Sequence, residues 1–124
     1  MKKLFVSVPM KGRTEESIKK SIEKMKKIAE AYEGEELELI DTWIPDEAPE
    51  CKNRGLWYMS ESLKSMADAD VFIGVNNQCE FLGCKQELML AKLYHLKVYE
   101  IPIDVIKMKD DSIYFGSLEI PMLG

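Results

Sequence analysis

The sequence predicts one α/β domain of three layers, in which helices cover both faces of a parallel sheet of about four or five strands. Two observations support this class. Short apolar runs, typical of strands buried on both faces, alternate along the chain with segments of helical periodicity. Strands that alternate with helices form right-handed βαβ crossovers, which produce a parallel sheet. The 124 residues fit a single domain, 1–124.

The first strand and helix have clear boundaries. Residues 4–8 are a continuous apolar run that predicts a buried strand, and residues 9–13 interrupt it. Thr14 can cap a helix through its hydroxyl, and the acidic side chains that follow suit the first turn. Gly34 is a typical helix end. One apolar stripe runs along this helix at steps of three and four: Ile18, Ile22, Met25, Ala29 and Tyr32.

The middle of the chain predicts a strand, a long loop, a helix and a strand. Residues 37–42 form the second strand, and residues 43–54, with two prolines and several acids, form a loop long enough to have a function. Residues 71–75 are a third buried strand. Between the loop and this strand, apolar residues at helical spacing predict the second helix: Leu56, Met59, Leu63 and Met66.

The last third predicts one more helix and strand. Residues 76–82 form a loop, and Gly83 precedes a third helix that contains Leu88 and Ala91. Residues 97–101 are the fourth strand. The tail, 102–124, has no periodicity but is apolar, so we expect it to pack on its own domain and on a neighbouring subunit.

Composition excludes several functions. A net charge of −5 argues against binding to a nucleic acid polymer, which requires a basic face. The clustered lysines alternate with glutamates, as on a solvated helix face. No apolar run approaches the ~20 residues of a membrane span. Three cysteines without a secretion signal predict free thiols in the cytoplasm. The spacing of Cys79, Cys84 and His95 matches no common zinc pattern, and we expect neither metal nor cofactor.

Topology predicts where a ligand binds. In the common strand order 2-1-3-4 of flavodoxin-like and Rossmann-like sheets, the chain reverses direction between strands 1 and 3, and ligands bind beyond their carboxyl ends. The loops 9–13 and 76–83 meet there, each before a helix N-terminus that favours an anion. Lys11 and Arg13 add positive charge beside Gly12, although an ordinary solvated turn explains these residues equally well.

Several side chains near this point have both a functional and a structural explanation. Glu87, four residues beyond Gly83, is predicted in the first helical turn, where the helix dipole holds its carboxylate ionised, as a nucleophile requires. Glutamate is also simply favoured in first turns. Ser62, considered by itself, is predicted to be an ordinary serine of the second helix without a functional role. The aromatic residues Trp43, Trp57 and Tyr58 can stack on a base or cover the core.

Five segments together resemble the nucleoside 2-deoxyribosyltransferase-like superfamily, and more narrowly a small branch of unknown function found in phages and bacteria. The match covers most of residues 3–101 and ends near Val98. Its segments are FVSVPMKGRTEE at 5–16, ID at 40–41, LWYMSESL at 56–63, ADV at 69–71 and GCKQE at 83–87.

The resemblance implies an N-glycosidase mechanism. Enzymes of the superfamily cleave the N-glycosidic bond of deoxynucleosides or their 5′-monophosphates, and a glutamate attacks C1′ to form a glycosyl-enzyme intermediate. Glu87 takes the position of this nucleophile, and Gly83 lies in the loop that presents it. Met10, Lys11 and Gly12 would line the sugar-phosphate pocket. A neighbouring subunit completes the site in several members, which implies a homodimer or larger homo-oligomer.

The chain departs from the characterised enzymes at two positions. They carry an aspartate where Ser62 stands and an aromatic hydroxyl where Phe5 stands. Two hypotheses remain: a (deoxy)ribosyl hydrolase or transferase acting on a nucleoside or nucleotide, and a non-catalytic protein that binds a nucleotide or nucleotide-derived signal. The candidate catalytic residues are Glu87 and Ser62. The candidate binding residues are Pro9, Met10, Lys11, Gly12, Arg13, Trp43, Asn76 and Gly83.

Overall fold

A computed structural model describes residues 1–9, 14–42, 44, 47–75 and 82–101, together with the backbone of two short strands in the C-terminal part. Strands and helices alternate as the sequence predicts. In chain order the elements are β1 (Lys3–Val6), α1 (Glu15–Glu33), β2 (Glu38–Leu39), α2 (Arg54–Met66), β3 (Val71–Val75), α3 (Leu82–Leu93), β4 (Lys97–Ile101), β5 (Lys107–Lys109) and β6 (Ser112–Tyr114).

Strands β1 to β4 form one parallel sheet in the order β2-β1-β3-β4. This order confirms the predicted fold class and places the reversal of chain direction between β1 and β3. Strand β2 is shorter than the predicted 37–42, although the Ile40 N–H still donates to the Leu4 carbonyl over 2.9 Å. Strands β5 and β6 form an antiparallel hairpin, which the aperiodic sequence of the tail did not predict.

Helix α1 covers one face of the sheet and begins and ends where the sequence predicts. The Ser17 N–H donates to the Thr14 hydroxyl over 3.1 Å, and Gly34 adopts a left-handed conformation with φ 74°. The predicted apolar stripe meets the side chains that β1 and β3 direct to this face. The fully buried members of this cluster include Leu4, Val6, Ile18, Met25, Ala29, Val71, Ile73 and Val75.

Helices α2 and α3 cover the opposite face. Phe5 of β1 and Phe72 of β3 stack there with ring centroids 5.6 Å apart. Met66 at the end of α2 and Leu88 within α3 pack around the two rings. The two aromatic rings therefore form part of the sheet face between α2 and α3. The site described next lies two residues further along β1 and β3, on the same face.

Among the described residues, no helix has the length and apolar character needed to cross a membrane.

Candidate functional site

A cavity of about 1010 Å³ opens at the carboxyl ends of the strands, between the sheet and helices α2 and α3. The residues that follow β1 form its floor, and the beginnings of α2 and α3 form its sides. This is the crevice that the strand order predicts, because ligands bind where the chain direction reverses. Its lining combines apolar side chains, such as Ile44 and Met59, with hydroxyl, amide and carboxyl groups.

Glu87 extends from α3 into this cavity, and its position differs from the prediction. Helix α3 begins at Leu82, so Gly83 is its second residue and does not precede it, and Glu87 is its sixth residue. The stabilising effect of the helix dipole is confined to the first turn, and Glu87 lies beyond it. Burial instead raises the pKa of the Glu87 carboxyl. The expectation that the dipole holds this carboxylate ionised is therefore wrong.

Two serine hydroxyls contact the Glu87 carboxyl from different elements. The Ser7 hydroxyl, directly after β1, donates a hydrogen bond to Glu87 Oε1 over 2.7 Å. A hydrogen bond from Ser62 of α2 acts on the same carboxyl, and both contacts lower its pKa. Burial still prevails over them. The site thus holds one partly buried carboxyl group that hydroxyls orient and desolvation brings closer to neutrality.

The charge balance of the cavity is unusual for a buried carboxylate. Among the lining residues that the structure describes, Glu87 is the one Asp or Glu, and no Lys, Arg or His faces it. A buried carboxylate that serves stability is normally paired with a cation, since an isolated buried charge is costly. A buried carboxyl group with a perturbed pKa in a cleft is a candidate for a functional group, and Glu87 has these features.

The structure brings four of the predicted site residues together around the cavity: Pro9, Ser62, Gly83 and Glu87. A Cβ added to Gly83 would meet nothing within 4 Å, so packing does not require glycine at this position. The other predicted binding residues lie outside the described part of the chain: Met10, Lys11, Gly12, Arg13, Trp43 and Asn76.

Sequence reasoning missed Ser7 as a site residue, and it predicted that Tyr58 stacks on a base or covers the core, with no role for its hydroxyl. The Tyr58 hydroxyl accepts a hydrogen bond from the Ala48 N–H over 3.1 Å, which ties the loop before α2 to the cavity wall. Trp57 packs edge-on against the Tyr58 ring and does not line the cavity. A signal for Ser7 was present, because it is a polar residue within an apolar run, at the carboxyl end of a strand next to the topological switch.

No group of three or more His, Cys, Asp or Glu side chains that could hold a metal ion occurs in the described ranges. Cys84, in the cavity wall, is buried, whereas Cys51 is exposed, and neither forms a disulfide.

Comparisons with protein-family models, with curated proteins and with solved structures each find no match to this chain.

Proposed function

We propose that this protein cleaves the N-glycosidic bond of a nucleoside or nucleoside 5′-monophosphate, with Glu87 as nucleophile. The observation that carries the proposal is the Glu87 carboxyl, which the Ser7 hydroxyl contacts over 2.7 Å in the crevice between β1 and β3. The hydrogen bond from Ser7 favours the ionised form of Glu87, which is the form that attacks the electron-poor C1′ of a sugar. The resemblance of five sequence segments to deoxyribosyltransferases points to the same residue.

The cavity also suits the proposed substrate. Pockets for small molecules combine apolar walls with a few polar groups that fix orientation, and this lining has that character. Lys11 and Arg13 follow Pro9, itself a lining residue, by two and four positions in the chain. In the proposal these two cations bind the 5′-phosphate, which would place the sugar next to Glu87.

A specific observation favours a second candidate, a protein that binds a nucleotide or nucleotide-derived signal without turnover. Retaining glycosidases place a second carboxyl group about 5–5.5 Å from the nucleophile to protonate the leaving group. The described lining offers four hydroxyls, at Ser7, Thr42, Tyr58 and Ser62, and no second carboxyl group. A serine hydroxyl is a poor acid at neutral pH, so protonation of the base is the weakest step of the enzymatic proposal.

One experiment separates the two candidates. The protein is incubated with nucleosides and 5′-monophosphates of each base, in ribo and deoxy forms, and free base is followed by chromatography while binding is measured by calorimetry. Release of base that Glu87→Gln abolishes supports the enzyme. Binding without release supports the binding protein. Neither binding nor release with any compound contradicts both.

A Lys11→Ala variant tests the phosphate within the same panel. A charge-assisted contact contributes about 1.5–3 kcal/mol, so the variant should bind a monophosphate about tenfold more weakly or worse and leave the nucleoside unaffected. Equal affinity of the original protein for nucleoside and nucleotide would remove the phosphate from the proposal.

A further inference from the structure

Ser7 follows the last residue of β1, and both its backbone and its side chain are held by hydrogen bonds. Its N–H donates to the Ile73 carbonyl over 2.9 Å, which continues the pairing of β1 with β3 by one residue. The residue is 2% exposed. Phe5 and Val6 before it and Val8 after it are apolar and buried, and a hydroxyl among them needs a polar partner.

The backbone opposite Ser7 leaves room for this arrangement. A Cβ added to Gly74 of β3 would lie 3.2 Å from the Ser7 Cβ and 2.8 Å from Cε1 of Phe72, both closer than such contacts normally come. Glycine at position 74 therefore lets the Ser7 side chain and the Phe72 ring both approach the backbone of β3 closely. The Ser7 hydroxyl then reaches Glu87 Oε1 over 2.7 Å.

We propose that Ser7 is the positioning residue of this site: it fixes Oε1 of Glu87 and keeps the carboxyl able to ionise within the cavity. The inference rests on the proposed function for its catalytic consequence, but its effect on Glu87 exists without any substrate. A hydroxyl that donates to a carboxylate stabilises the charged form more than the neutral form. Here it opposes burial, which acts in the other direction on the same group.

The first test measures the isolated protein. Carboxyl ¹³C NMR of labelled glutamates across pH follows the ionisation of Glu87 in the original protein, in Ser7→Ala and in Ser21→Ala. Ser21 is an equally buried serine, 1% exposed, whose hydroxyl donates to the Ser17 carbonyl in its own helix. We expect the Glu87 pKa to rise further in Ser7→Ala and to stay unchanged in Ser21→Ala. An unchanged Glu87 pKa in Ser7→Ala overturns the proposal.

The second test measures turnover with whichever nucleotide the panel identifies. Ser7→Ala should lower kcat at neutral pH by about tenfold with little change in KM, and raising the pH should restore part of the loss, because more of the carboxyl is then ionised. Ser7→Thr keeps the hydroxyl and should recover most of the rate. A loss of kcat that is equal at every pH, or that Ser7→Thr does not reduce, contradicts the positioning role.

The two measurements fail independently. If no compound is turned over, the proposed function fails, whereas the NMR titration still decides whether Ser7 controls Glu87. If Ser7→Ala does not fold, Ser7→Cys replaces it, because cysteine has nearly the same shape and only a weak donor. It should raise the Glu87 pKa in the same direction, and an unchanged pKa in that variant overturns the proposal equally.

Discussion

Two glutamates whose carboxyl groups are wholly or partly shielded from solvent lie at opposite ends of the sheet, and the charged groups around them differ. Glu33, at the end of α1, has a side chain that is 2% exposed and accepts hydrogen bonds from Lys97 and Tyr99, each over 2.9 Å, with Lys2 at 3.4 Å. Glu87, at the carboxyl ends of the strands, contacts Ser7 and Ser62 and faces no cation on the described walls.

The difference separates a structural carboxylate from a candidate catalytic one. The ion pair with Lys97, helped by Tyr99 and Lys2, holds the pKa of Glu33 below its usual range against the opposing effect of burial. For Glu87 burial dominates and raises the pKa. Glu33 joins α1 to the starts of β1 and β4, so its neutralised charge serves the fold. Glu87 borders an open cavity, where its carboxyl is accessible to a ligand.

The largest expected effect is on turnover, when the charge of each glutamate is removed in turn. If Glu87 is a nucleophile, Glu87→Gln keeps shape and hydrogen bonding and lowers turnover by orders of magnitude, with little change in affinity for the substrate. Glu33→Gln is the matched control and should leave the turnover of the folded protein unchanged. Steady-state kinetics with active-site titration measures the turnover of both variants. An equal loss of turnover in the two would contradict a catalytic role specific to Glu87.

Stability should respond in the opposite way. Glu33→Gln removes the charge that two lysines and a tyrosine hydroxyl share, and we expect it to lower the free energy of unfolding by about 1–3 kcal/mol at neutral pH. Glu87→Gln removes a desolvated charge and should leave stability equal or slightly higher. Urea unfolding followed by circular dichroism gives both values. A marked destabilisation by Glu87→Gln would assign that carboxylate a structural role.

The pH dependence of these two stability differences should run in opposite directions. The stability that Glu33 contributes is present above its unfolded-state pKa and is lost as pH falls through its lower folded-state pKa. The contribution of Glu87 is greatest below its unfolded-state pKa and is lost as pH rises through its higher folded-state pKa. Both variants should therefore approach the stability of the original protein in acid, Glu33→Gln from below and Glu87→Gln from above.

Gly83 should show the smallest effect. An added Cβ would meet open space, and alanine is favoured over glycine within a helix by up to about 1 kcal/mol, so Gly83→Ala should unfold at an equal or slightly higher urea concentration. If the ligand approaches α3 closely at this point, affinity falls at the same time. Unchanged affinity in calorimetry would exclude Gly83 from the binding site.

The sequence was sufficient for the fold because its elements are locally encoded. Thr14 and Gly34 mark the ends of α1, and the apolar run 71–75 is central strand β3, so these local signals agree with the tertiary structure. Strand β2 is shorter than predicted because only Lys3 and Leu4 of β1 pair with it. The sequence of β5 and β6 has no periodic pattern of apolar residues, so the two strands could not be predicted from it.

The candidate site was harder to predict because it depends on distances between elements. The topology correctly located the crevice, and Glu87 does line it. The surroundings of Glu87 could not be derived, since Ser7 lies 80 positions away in the chain and approaches only through the pairing of β1 with β3. The prediction that α3 begins after Gly83 also produced a wrong electrostatic argument, because α3 begins at Leu82 and Glu87 then lies beyond the first turn, where the dipole acts.

The hydrogen bond from the Ala48 N–H to the Tyr58 hydroxyl provides a hydrogen-exchange probe beside the site. Ala48 is buried although its neighbours Glu47 and Pro49 are exposed, so its amide hydrogen can exchange with solvent only when the loop separates from α2. Tyr58 lies one helical turn before Ser62 on the same face of α2. The deuterium uptake of that one amide therefore reports how often the loop at Ala48 separates from Tyr58, a residue of the cavity wall.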